Sequence, residues 1–99
     1  MTYLVRITRT IPLQKPQMTQ FRASSEYLPD VRREAAQRLI SGTEMRQTAK
    51  AEIFRATPWC DDLIGVLYYT TPEQGLVWSP ISGFAYKCAE DGTLTDVAL

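Results

Sequence analysis

Glu44-Met45-Arg46-Gln47-Thr48-Ala49-Lys50-Ala51-Glu52-Ile53-Phe54-Arg55-Ala56 is the stretch that decides the fold. Read with a period of two, Met45, Ala49, Ala51 and Ile53 fall on one face and Glu44, Arg46, Thr48, Lys50 and Glu52 on the other, as in a half-buried strand. Met45, Ala49 and Ile53 also stand at i, i+4 and i+8 among good helix formers, so a helix competes. The alternation runs longer than the helical match, and Ile53-Phe54-Arg55 before Thr57-Pro58 reads as a strand end. Strand is therefore the expectation.

Immediately before it, Leu28, Val31, Ala35 and Leu39 recur at three and four residues, which predicts a helix over 28–41 with one apolar stripe. Pro29 fits a first turn, Glu34 and Arg38 suit an i,i+4 pair, and Gly42 suits a helix end. Further back, Tyr3, Val5 and Ile7 alternate with Leu4, Arg6 and Thr8. Thr19, Phe21 and Ala23 alternate with Gln20 and Arg22 across the Pro12–Pro16 loop, which predicts a hairpin. On the C-terminal side, Ile64–Thr71 is rich in strand formers, and Thr71–Gly75 turns the chain into Leu76-Val77-Trp78. Phe84–Ala89 and Thr93–Ala98 flank Glu90-Asp91-Gly92, an Asp-Gly hairpin signal. The expected fold is α+β, an antiparallel sheet with one main helix packed on one face, in the order β-β-α-β-β-β-β.

Ninety-nine residues, 44% hydrophobic and 22% charged, make a single domain able to bury its own core. The start of the chain, Met1-Thr2-Tyr3-Leu4-Val5-Arg6, lacks the apolar stretch of a signal peptide, so a cytoplasmic location and no membrane partner are expected. Cys60 and Cys88 are then expected to be free, buried thiols, and two cysteines without histidine do not make a structural zinc site.

Net charge is zero, yet its distribution is uneven. Up to Arg55 there are ten bases and five acids; from Ala56 there are one base, Lys87, and six acids. The simpler expectation is a fold that interleaves the two halves and cancels the dipole; a fold that keeps them apart would suit a polar partner.

Catalytic signals are missing from the pattern. No histidine is present for a triad, the five glycines form no phosphate loop, and Asp61-Asp62 reads as a solvated loop before a strand. No cofactor is expected, and the chain reads as a non-enzyme. By strand parity Arg6, Arg22, Arg46 and Lys50 point away from the apolar side of their strands. If those strands adjoin, four cations line one sheet face, a footprint for a nucleic-acid backbone or an acidic protein, against the plainer reading of ordinary solvated strand residues. Tyr68, Tyr69 and Trp78 are candidates to stack on bases or anchor an interface, or else belong to the core. Arg32, Arg33 and Arg38 fall on the polar side of the helix, facing solvent.

Phe21-Arg22-Ala23-Ser24-Ser25 before an alanine-spaced helix, then Gly42-Thr43-Glu44-Met45-Arg46, Ala85-Tyr86-Lys87 and Glu90-Asp91-Gly92, together resemble small anti-CRISPR proteins of phages and mobile elements. The similarity is to a family that inhibits type I-F CRISPR surveillance complexes, and it covers about half of the chain. It implies a curved antiparallel sheet around one helix. It also implies basic and polar surface residues that bind the backbone Cas protein and block target-DNA hybridisation. The expected function is accordingly a binding protein, an inhibitor of a host protein or nucleoprotein complex, with Arg6, Arg22, Arg46, Lys50, Tyr69 and Trp78 as its contact residues. The alternatives are a nucleic-acid-binding accessory domain and, third, a small-molecule enzyme with its site at a subunit boundary.

Overall fold

The computed structural model of the chain describes residues 2–10, 13–42, 48–69, 75–81, 85–89 and 94–96. Its elements run β1 Thr2–Thr10, β2 Gln17–Arg22, α1 Leu28–Gly42, β3 Thr48–Ala56, β4 Asp61–Tyr69, β5 Leu76–Pro80, β6 Tyr86–Cys88 and β7 Leu94–Asp96. One antiparallel sheet holds all of these strands in the order β2-β1-β3-β4-β5-β6-β7, with α1 against one face. This is the expected α+β architecture; the five strands after the helix fall within the five stretches read as β there or overlap them, one more than the order β-β-α-β-β-β-β counts.

The contested stretch is a strand. β3 pairs with β1 from Thr2↔Ala56 to Thr10↔Thr48 and with β4 on its other side. Ala49, Ala51 and Ile53 are buried while Lys50 is exposed. Alanine, lysine and glutamate favour helix in isolation. Here pairing on both sides overrides propensity, because it seats Ala51 between Ile7 and Leu67. The segment 43–47, with the expected strand start at Glu44, lies outside the described residues.

The helix stripe is the expected one. Val31, Ala35, Ala36 and Leu39 are fully buried against Val5, Ile7, Ile53 and Leu67, and Leu28 and Phe21 pack at the margin. Ser24 and Ser25 tie the loop before α1 to its first turns. The Ser24 hydroxyl donates to Glu34 Oε2 at 2.9 Å and the Ser25 hydroxyl to Asp30 Oδ2 at 3.2 Å. Glu34 also meets Arg38, at 3.8 Å, as the spacing predicts.

Three expectations change. β4 begins at Asp61 rather than Ile64, so Asp61 and Asp62 are exposed strand residues opposite Ala56 and Arg55, not a loop. Cys88 is buried, but Cys60 is exposed, at the end of the tight turn from β3 to β4. That turn is closed by Thr57, which donates its N–H to the Cys60 carbonyl and accepts the Cys60 N–H on its hydroxyl. Third, the strand order does not interleave the two halves of the chain: β2, β1 and β3 lie together, and β4 to β7 follow beside them. The turn at 71–74, the Asp-Gly turn and Ile11 and Pro12 lie outside the described residues.

The molecule measures 38 × 34 × 21 Å. Its shortest dimension is that of two stacked layers, roughly 10 Å each: α1 covers one sheet face, and among the described residues no helix packs on the opposite face.

Candidate binding surface

That second sheet face, termed the outer face, is built by alternate residues of every strand. Register fixes three rungs across it. The first runs Arg22, Leu4, Phe54, Leu63. The second runs Gln20, Arg6, Glu52, Val66, Ser79. The third runs Met18, Thr8, Lys50, Tyr68, Val77, Lys87. Leu4, Phe54, Leu63, Val66 and Val77 are half-buried, while Arg22, Lys50 and Lys87 are exposed. The face is therefore a low apolar strip with cations at its margins. Glu52, in the middle rung, and Asp61, at the start of β4, are the acids on it among the described residues.

Arg6 differs from the other cations. Its guanidinium carbon lies 5.0 Å from the centroid of the Phe54 ring, and its Nε is shielded from solvent without a hydrogen-bond partner. The side chain thus lies along the sheet over Phe54, a contact of roughly 0.5–2 kcal/mol that also flattens the strip. Lys50 projects freely, between Thr8 and Tyr68, and Tyr68 is 41% exposed.

Of the six expected contact residues, Arg6, Arg22 and Lys50 come together on this face, and Arg46 lies outside the described residues. Tyr69 and Trp78 do not belong to it. Both point to the helix side, where Tyr69 packs at the core margin opposite Ala49 and Leu76, and Trp78 is only 3% exposed. The Trp78 ring fills the space over Gly65: a Cβ on that glycine would lie 2.5 Å from the ring carbons. Arg32 of α1 closes the other side, 5.5 Å from the ring centroid. Burial lowers the Arg32 pKa from its ordinary value, partly offset by Cys88 and Tyr27. Arg32 and Arg38 are thus lids on core aromatics rather than purely solvent-facing groups, Arg38 lying 3.9 Å from the Phe21 ring centroid. Tyr68 takes the aromatic place on the outer face.

No family model, curated protein or solved structure matches this chain.

The surface has neighbours that pattern reading missed. Lys87 joins the third rung through β5, and Phe54 carries Arg6; both follow from strand parity once the strand order is known. Trp59, at the tip of the β3–β4 turn, is 90% exposed. Beside it the Cys60 thiol donates to Asp62 Oδ1 at 3.3 Å. Among the described residues, no three Cys, Asp or Glu side chains gather in a way that could hold a metal ion. Nor is any helix among them long and apolar enough to cross a membrane.

Proposed function

We propose that this chain is a non-enzymatic binding protein that docks onto a host protein or nucleoprotein complex through the outer face of its sheet and inhibits that complex. The observation that carries this is the composition of the outer face, on which no described helix packs: half-buried Leu4, Phe54, Leu63, Val66 and Val77 flanked by Arg22, Lys50 and Lys87. An apolar strip with a charged margin is the anatomy of a protein interface, apolar at its centre and polar at its rim. The likeness in residues 21–25, 42–46, 85–87 and 90–92 to the type I-F anti-CRISPR family supports the inhibitory part and a surveillance complex as the target. A nucleic-acid backbone is the weaker reading. Gripping a polyanion takes many phosphate contacts, whereas Glu52 and Asp61 interrupt the cations here and the chain has no net charge.

The test is a pull-down from host lysate with wild-type protein and with the double variant Lys50→Glu/Lys87→Glu, each with and without nuclease. Both lysines are exposed, so the double reversal should change stability by less than about 1 kcal/mol. The wild type is expected to retain its partner after nuclease treatment, and the variant to lose it. Raising salt from about 50 to 200 mM should weaken a protein complex modestly; a loss of orders of magnitude would instead assign the face to nucleic acid.

A further inference from the structure

We propose that the outer edge of β2 is a strand-addition site for an extended, acidic segment of a protein partner. This rests on the reading of the chain as a protein-binding module, but it concerns the sheet edge rather than the face.

The edge can be assigned group by group. The Ala23 N–H donates to the Tyr3 carbonyl at 2.9 Å, one step beyond the register in which Arg22 lies opposite Leu4. In an antiparallel pair, opposed residues alternate between those that exchange hydrogen bonds and those that turn their backbone groups the other way. Ala23 and Tyr3 are of the first kind. It follows that Phe21, Thr19 and Gln17 spend their N–H and C=O groups on β1, whereas Arg22, Gln20 and Met18 turn theirs outward. β2 is the first strand of the sheet, so among the described residues no strand lies beyond those groups.

Natural sheets blunt open edges with prolines, bulges, very short strands or charged side chains. Of these β2 carries only the charge of Arg22 at its end: Gln17–Arg22 pairs with β1 in unbroken register over six positions. Its side chains are exposed apart from Phe21, and Met18 is 62% exposed. The edge is polar and regular, suited to a specific added strand.

Charge selects the occupant. Arg22 stands exposed on the outer-face side of the edge and is the selecting cation; Arg38, across Phe21 on the helix side, is already paired with Glu34. Neither β1 nor β2 contains an acidic residue. A second copy of β2, paired antiparallel about Gln20, would set Arg22 opposite Met18, so self-pairing offers that cation no acidic partner. An incoming strand with Glu or Asp opposite Arg22 would meet opposite charge across the ladder, a favourable cross-strand pair.

Backbone amide exchange, read residue by residue by NMR, tests this. The probes are an acetylated peptide of about eight alternating Glu and Val residues, enough for one strand, its Lys/Val counterpart, and an oligothymidylate of matching charge. In the free protein the amides of Met18, Gln20 and Arg22 should exchange at least about tenfold faster than those of Thr19 and Phe21. Excess acidic peptide should slow the first three by a similar factor, and the basic peptide should not. Gln20→Pro, which removes one outward N–H, should abolish the effect. Should that variant not fold, Arg22→Glu, which keeps the backbone intact, should weaken it. The proposal is overturned if the three amides are already slow, if acidic peptide shifts only Lys50 and Tyr68, if oligothymidylate protects the edge equally, or if protein concentration alone does so. Loss of edge protection with the Lys50→Glu/Lys87→Glu effect intact sinks the edge and spares the face; the converse sinks the face alone.

Discussion

Gly65 and Trp78 share one volume. The indole occupies the place where any other residue at 65 would put its Cβ, with the Ser79 carbonyl 3.1 Å away on the same side. Gly65→Ala should therefore cost about 1–3 kcal/mol by overpacking, a fall in melting temperature of several degrees for a domain of this size. Combining it with Trp78→Leu should show favourable coupling in a double-mutant cycle, since the smaller side chain vacates the overlap. The cysteines separate by the same criterion of access. Cys60 should react with a thiol reagent in the native protein and Cys88 only after unfolding; rapid native labelling of both would contradict the burial of Cys88. At this scale the sequence is half legible. Arg6, Arg22 and Lys50 sit in alternating strands whose apolar partners fix their parity. Tyr69 and Trp78 escape such a reading because β4 and β5 each have apolar residues on both faces. The register of β4 against β3 also slips between Ile53 and Phe54, leaving Ile64 without an opposite residue. An extra residue in a strand inverts parity beyond it, and no composition signal marks where.

Among the elements, α1 is the most legible, because a 3.6-residue period sustained over so many residues is incompatible with a strand. Its centre of gravity is Leu39, fully buried among strand residues. Leu39→Ala should cost about 2–5 kcal/mol, measured by denaturant unfolding, and a cost below about 0.5 kcal/mol would mean the side chain is not in the core. Arg33→Ala, by contrast, removes an exposed pair with Asp30 at 3.5 Å and should cost well under about 1 kcal/mol. β3 is legible only as the longer of two matching patterns. What makes it a strand lies outside the stretch: β1, far back in the chain, and β4, across the tight turn at 57–60, hydrogen-bond to its two edges. A window of sequence contains neither neighbour, so within it propensity and alternation compete.

Taken whole, the molecule is electrically lopsided along the sheet. Strands β2, β1 and β3 carry Arg22, Arg6, Arg9, Lys50 and Arg55 against Glu52, whereas β4 to β7 carry Lys87 against Asp61, Asp62 and Asp96. Near neutral pH, where the formal net charge is zero, the protein should bind weakly to both cation and anion exchangers at about 10 mM salt and to neither above about 150 mM, because patches rather than net charge then govern adsorption. Retention on neither resin at low salt would mean that the charges cancel. The uneven charge is visible in the chain; its survival depends on strand order, which sequence reading expects to mix. The same order has a consequence for how the protein is made. Among the described strands only β1 and β3 pair across intervening elements, β2 and α1; each later strand pairs with the one synthesised just before it. Contacts between neighbours in sequence close fastest. Once residue 56 has left the ribosome, β2, β1, β3 and α1 are all available to form a nucleus. The sheet then grows in the direction of translation, each emerging strand meeting a partner already in place.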